Sequence, residues 1–123
     1  MTAKKILVVE DTEDNRQILR DLFVTAGYDM IEAQDGAEGV AKASQHKPDL
    51  ILMDIQMPVM DGYEATRRIK ADPALKAIPV IAVTSYALSG DEEKARAAGC
   101  DGYIAKPFSP RQMLTKVREI LGA

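Results

Sequence analysis

The chain reads as an α/β domain: a five-stranded parallel sheet, doubly wound as (βα)5. Three observations predict this. Short apolar runs, most of them rich in Val, Ile and Leu, recur at Ile6–Val9, Met30–Ala33, Leu50–Met53, Val80–Val83 and Tyr103–Ala105, as buried strands do. Between them lie stretches of helical period, and strands alternating with helices imply parallel pairing with helices on both faces. The 123 residues amount to about one domain, so residues 1–123 are read as a single unit with one core.

Each element has its own signals. The first strand delivers Glu10-Asp11, followed by Glu13 and Asp14, which fit a first helical turn facing the positive end of the helix dipole. Ile18, Leu19, Leu22, Phe23 and Ala26 form the apolar stripe of that helix, and Gly27 suits its C-terminal cap. Asp35-x-x-Glu38 and Asp61-x-x-Glu64 open the second and third helices with an aspartate cap. His46 precedes Lys47-Pro48 and is expected in a solvated loop. Pro73 and Pro79 close the third helix and feed the fourth strand. Ser89-x-x-Glu92 fits a capping box for a fourth helix running to Ala98, whose apolar residues are all alanines. Alanine buries little area, so this helix should open at low cost. Cys100 reads as a small buried residue. Ser109-Pro110-x-Gln112 opens the fifth helix with a capping box and a proline at its first position, and Met113, Leu114, Val117, Ile120 and Leu121 form its stripe.

Composition removes several function classes. One cysteine and one histidine exclude an internal disulfide framework, a His/Cys zinc site and most Ser-His or Cys-His catalytic arrangements. Sixteen basic against 19 acidic residues give a net charge of −3, which does not favour nucleic acid. No apolar stretch is long enough for a signal peptide or a membrane span. A cytoplasmic domain is expected, with chemistry resting on carboxylates, hydroxyls, lysines or a bound ion.

Those groups stand where the strands end. The first strand finishes in Glu10-Asp11, the third in Asp54, the fourth in Thr84-Ser85, and the fifth runs into Lys106-Pro107. In a doubly wound sheet, ligands sit outside the carboxyl ends of the strands, near the point where strand order reverses. Taken singly, each residue has an ordinary reading: a solvated turn or helix cap for the acidic pair, a turn for Thr84-Ser85, a surface lysine for Lys106. Four separate strand ends converging on one crevice argue for a site. Glu10, Asp11 and Asp54 would repel each other, and without a counterion at least one should titrate late. A hard divalent cation removes the conflict. Mg2+ suits it better than Ca2+, because few protein oxygens are on offer and Mg2+ keeps its waters.

The ordered set Glu10-Asp11, Asp54-Ile-Gln-Met-Pro-Val-Met-Asp-Gly62, Val83-Thr84 and Tyr103-x-x-Lys106-Pro107 resembles the receiver domain of two-component response regulators, a CheY-like family, over nearly the whole chain. The segment from Thr84 to Lys106 is similar to stand-alone receivers of the DivK type and to receivers attached to hybrid histidine kinases, and the resemblance implies the strand order 2-1-3-4-5. The resemblance implies that Asp54 accepts a phosphoryl group from a phosphohistidine of a histidine kinase or histidine phosphotransferase. It implies that Asp11, Asp54 and the Gln56 backbone carbonyl ligate Mg2+, with Glu10 acting through water. Lys106 would neutralise the transferred oxygens from the side opposite Mg2+, in a reaction that asks mainly for positioning and charge. Thr84 would hydrogen-bond the phosphoryl group, Tyr103 would swing inward as Thr84 moves, and a cis Lys106-Pro107 bond would aim the lysine. Met57-Pro58 would shape the loop carrying the Gln56 carbonyl. Gln56 and Tyr86 would tune the lifetime of the phosphorylated state, the Tyr86 ring by obstructing the attacking water.

The product would be a switch of the face formed by the fourth helix, fifth strand and fifth helix, controlling a downstream protein target. The chain itself would engage neither nucleic acid nor membrane, and phosphorylation could drive a dimer. It would be a phosphoacceptor catalysing only its own phosphorylation and dephosphorylation. Three alternatives compete. A haloacid-dehalogenase-like phosphatase wants an acid where Gln56 stands. A flavodoxin-like binder wants an anion cradle where Glu10-Asp11-Thr12-Glu13-Asp14 would repel phosphate. An unphosphorylated interaction module of the same fold would leave the intact chemical positions unexplained. The chain stops at Ala123, so it either acts alone by docking or is part of a larger protein, and Met1 favours the first.

Overall fold

The computed structural model describes residues 3–55, 60–84, 91–106 and 108–122. Along the chain run β1 (Lys5–Val9), α1 (Glu13–Thr25), β2 (Asp29–Ala33), α2 (Gly36–His46), β3 (Leu50–Asp54), α3 (Gly62–Ala71), β4 (Val80–Thr84), α4 (Asp91–Ala98), β5 (Gly102–Ala105) and α5 (Pro110–Leu121). The strands pair in parallel in the order β2-β1-β3-β4-β5, the doubly wound arrangement the sequence predicts. No helix among the described residues is long and apolar enough to cross a membrane.

The apolar runs are continuous because the central strands are covered on both faces. Strand side chains alternate. Ile6, Val8, Leu50, Leu52, Ile81 and Val83 meet Leu19 and Phe23 of α1 and Met113 and Val117 of α5. Leu7, Val9, Ile51, Met53, Val80 and Ala82 meet Ala43 of α2, Ala65 and Ile69 of α3, and Ala95 of α4. The α4 contribution is small: Ala95 and Ala98 are its buried apolar side chains.

Helix ends form as their caps predict. The carboxylates of Asp35 and Asp61 accept hydrogen bonds from the backbone N–H groups of Glu38 and Glu64 (2.8 and 2.9 Å). Ser109 and Gln112 exchange both bonds of a capping box, with Pro110 opening the helix. At the end of α1, Gly27 takes φ 93°, its N–H bonds the Val24 carbonyl and the Tyr28 N–H bonds the Phe23 carbonyl. This pairing needs a left-handed residue where glycine stands. The expected capping box at Ser89 lies outside the described residues.

Two expectations change. Ile18 is not part of the buried stripe; it is 61% exposed. Arg16 takes the inward direction with Leu19 and Phe23, because its guanidinium finds the Glu10 carbonyl there. His46 is solvent-exposed as expected, but it is the last residue of α2 rather than a loop residue. The helix continues until Lys47, in a left-handed conformation, bonds the Ala43 carbonyl ahead of Pro48.

The base of the sheet is tied by Lys70. Its ammonium donates to the carbonyls of Lys76 and Ile78 and to the Asp101 carboxylate, which also accepts from the Val80 N–H. At the other end, α3 starts hard against the strand that precedes it. A Cβ at Gly62 would lie 2.4 Å from the Asp54 carbonyl oxygen and 2.8 Å from Ile55 Cα, both backbone atoms that cannot step aside. Gly62→Ala is therefore expected to lower the free energy of unfolding by about 1–3 kcal/mol in urea melts, the cost of overpacking. Ser109→Ala, which removes an exposed cap, should cost about 1 kcal/mol.

Candidate functional site

The site grows out of strand alternation. Glu10 follows Ile6 and Val8 in parity, Asp54 follows Leu50 and Leu52, and Lys106 follows Ile104, so continuing the pleat sends all three toward the α1/α5 side. Register brings them together. Val9 pairs with Met53, which sets Glu10 beside Asp54 one step further along. Thr84 pairs with Ala105, and the Lys106 N–H donates to the Thr84 carbonyl (2.7 Å). The Glu10 N–H is held by the Ala33 carbonyl (3.0 Å).

Glu10, Asp11 and Asp54 each present a carboxylate oxygen within 4.8 Å of the other two. Asp54 is 6% exposed and Glu10 is likewise buried, whereas Asp11 faces solvent. The Lys106 ammonium donates to Glu10 Oε1 (3.0 Å) and stands 3.8 Å from Asp54 Oδ2. Buried carboxylates persist only with such partners. Burial pushes the Glu10 carboxyl up, but hydrogen bonds with Asp11, Asp54 and Lys106, and the lysine charge, outweigh it and hold Glu10 down at about 2. Asp11 moves the other way: its hydrogen bond to the Glu10 carboxylate, then burial and the charge of Glu10, raise it above its ordinary value. Of this adjacent pair it is Asp11, the exposed one, that is shifted upward. An all-oxygen donor set of this kind fits Mg2+.

Beside the carboxylates opens a cleft of about 510 Å³ between α1 and Phe108 in the segment after β5, walled by Ile18, Leu19, Leu52, Val83 and Phe108 and closed by Glu10, Asp54 and Lys106. Thr84 lies buried at the neighbouring strand end. Tyr103 stands apart from the carboxylates, opposite Ala82 and packed half-buried on the α2-α3-α4 side. Gln56, Tyr86 and Pro107, and with them the expected cis peptide bond, the tuning positions and the Met57-Pro58 loop, lie outside the described residues.

Sequence reasoning missed two residues. Asn15 donates its side-chain amide to Glu10 Oε1 (3.1 Å) from the first turn of α1. Arg16 donates from Nη1 to the Glu10 carbonyl (2.7 Å). The available signal was an arginine at helical spacing from Leu19 and Phe23, a cation in register with an apolar stripe. Cys100 is buried with its Sγ 3.8 Å from the Thr66 hydroxyl, and burial raises its thiol, consistent with the packing role expected of it.

Residues 6–118 match the family described as the response regulator receiver domain. The polar-differentiation response regulator DivK of Brucella anthropi is 45% identical over 119 residues, covering 97% of each chain. Among solved structures, the receiver domain of a Pseudomonas aeruginosa sensor histidine kinase is 36% identical with a TM-score of 0.91, covering 99% of this chain and 100% of that one. It holds a magnesium ion in its active-site cleft. Chemotaxis protein CheY4 of Vibrio cholerae is 30% identical with a TM-score of 0.92, covering 97% of this chain and 99% of that one. A relative this similar over this much of both chains shares more than a fold, and this chain belongs to the response regulator receiver domains of two-component signalling.

Proposed function

We propose that the chain accepts a phosphoryl group on Asp54 from the phosphohistidine of a histidine kinase or histidine phosphotransferase, and that the acyl phosphate switches the face made by α4, β5 and α5 toward a downstream protein partner. Receiver domains are phosphoacceptor switches rather than enzymes that turn over an external substrate. The observation that carries the reading is the buried Asp54 carboxylate at the end of β3, with the Lys106 ammonium shared between it and Glu10 and with Asp11 close to both.

The chemistry divides among the residues. An Asp54 carboxylate oxygen attacks phosphorus as the P–N bond to the donor imidazole breaks, and the electron pair leaves with the ring nitrogen. Asp11 and Asp54 would hold Mg2+ directly and Glu10 through water, with the Gln56 carbonyl completing the protein ligands. Bound there, Mg2+ supplies positive charge against the phosphoryl oxygens. Lys106, already between Glu10 and Asp54, supplies the second positive group with little movement, and such preorganised charge is the main demand of phosphoryl transfer. Asn15 keeps Glu10 turned inward once Lys106 turns to the phosphoryl group. Thr84 would donate its hydroxyl to a phosphoryl oxygen, and Tyr103, two residues into β5, would register the change on the far face.

Incubation with acetyl phosphate and Mg2+ should add one alkali-labile phosphoryl group by intact mass, absent without Mg2+ and absent in Asp54→Asn. No modification of the wild type by acetyl phosphate or by a phosphorylated histidine phosphotransferase would leave an interaction module without phosphoacceptor chemistry. The hydrogen bond to Glu10 and the charge of Glu10 raise the Asp11 carboxyl, so a cation and a proton compete there. Mg2+ affinity is expected to fall steadily as pH is lowered from neutrality into the carboxylate range, measured by calorimetry, with proton release on binding at the acid end. Loading with beryllofluoride, a phosphoryl mimic, should shift amide resonances across α4 and β5, from Ala95 to Tyr103; unchanged shifts there would remove the switch from the proposal.

A further inference from the structure

We infer that Arg16 positions the acidic pair: by holding the Glu10 carbonyl, its guanidinium fixes the peptide that joins Glu10 to Asp11, and with it the geometry in which this chain binds a divalent cation. The inference rests on the Mg2+ site proposed above.

Arg16 is 7% exposed, unusual burial for an arginine one turn into a surface helix. Nη2 donates to Glu13 Oε2 (2.5 Å), Nε to Glu32 Oε1 (3.2 Å) and Nη1 to the Glu10 carbonyl (2.7 Å). The two carboxylates do not explain the burial. Arg20, half exposed one turn later, binds the same pair: Nε and Nη2 reach Glu32 (2.8 and 2.6 Å) and Nη2 reaches Glu13 (3.2 Å). Ion pairs of that sort are made at the surface at little cost and yield little. What Arg16 alone contributes is the carbonyl contact.

The contact falls where the sheet stops supporting the backbone. The registers of β1 with β2 and with β3 both end at Val9. The Glu10 N–H still finds Ala33, but its carbonyl lies beyond the ladder, and Arg16 meets it. That carbonyl belongs to the peptide whose other end is the Asp11 nitrogen. Rotating it would swing Asp11 relative to Glu10 and Asp54 and break the arrangement that keeps three carboxylate oxygens within 4.8 Å. A planar fork on a short reach holds the carbonyl and the two carboxylates in one fixed geometry, which a flexible lysine with its point charge does not reproduce.

Charge and position make opposite predictions. Arg16 is a cation close to a cation site, so by charge alone its removal should strengthen Mg2+ binding. By position, removal should weaken it. The test compares Arg16→Met, Arg16→Lys and Arg20→Met with wild type, by Mg2+ calorimetry and by the Glu10 backbone 13C′ resonance of the metal-free protein, which reports the bond to its oxygen. Arg16→Met and Arg16→Lys are expected to weaken Mg2+ about tenfold and move the Glu10 13C′ resonance upfield, while Arg20→Met stays within about twofold of wild type. If Arg16→Met does not fold, Arg16→Lys decides. Arg16 variants that bind Mg2+ as tightly as wild type, or an Arg20→Met as weak as they are, would overturn the inference. A wild type that binds no Mg2+ overturns the proposed metal site itself, and the inference with it.

Discussion

Mutual repulsion among three carboxylates at two adjacent strand ends is the constraint around which the upper edge of the sheet is organised. Glu10 and Asp54 are forced together by the β1–β3 register and buried by α1 and α5, so neither can escape into water. Lys106 compensates from the end of β5, which is why that strand must reach far enough for its last amide to bond Thr84. The repulsion from Glu10 shows at Asp11, the solvent-facing member, whose carboxyl is raised above its ordinary value. Breaking a buried pair of this sort typically costs about 3–5 kcal/mol, a large fraction of what holds a small domain together. The same crowding that threatens the fold is what makes the pocket attractive to a hard cation.

Most of the architecture could be read from the chain because its local signals agree with one another. The Asp35, Asp61 and Ser109 caps and the glycine after α1 each specify one boundary, and those boundaries formed there. The acids and the lysine were legible for a related reason: an apolar run that ends abruptly in a charge delivers that charge to a strand end. Arg16 and Asn15 escaped because their partner is the same glutamate, one through its backbone carbonyl and one through its carboxylate, and periodicity carries no record of a contact to a single peptide group. Ile18 was misassigned with them. Once Arg16 turns inward, the apolar stripe rotates, and Ile18 is left at the mouth of the cleft.

The helices are held unequally. On one side, α1 and α5 press Leu19, Phe23, Met113 and Val117 into the sheet; on the other, α4 offers Ala95 and Ala98. Large side chains contribute about 1.5–3 kcal/mol each when buried, and alanine far less. At the base, Lys70 and Asp101 fasten the turn between α4 and β5 to α3 and to the start of β4. The described contacts of α4 are thus a small apolar footprint and a fastening at its C-terminal end, where the chain turns into β5.

The pleat separates two kinds of traffic. Glu10, Asp54 and Lys106 open into the cleft beside α1, while Tyr103 belongs to the opposite layer of the sheet. On the proposed reading, a donor seated over the cleft leaves the Tyr103 face uncovered. The acyl phosphate would then be made on one side of the sheet and registered on the other, so the strand ends themselves, through Thr84 and Tyr103, carry the message across a layer one backbone thick.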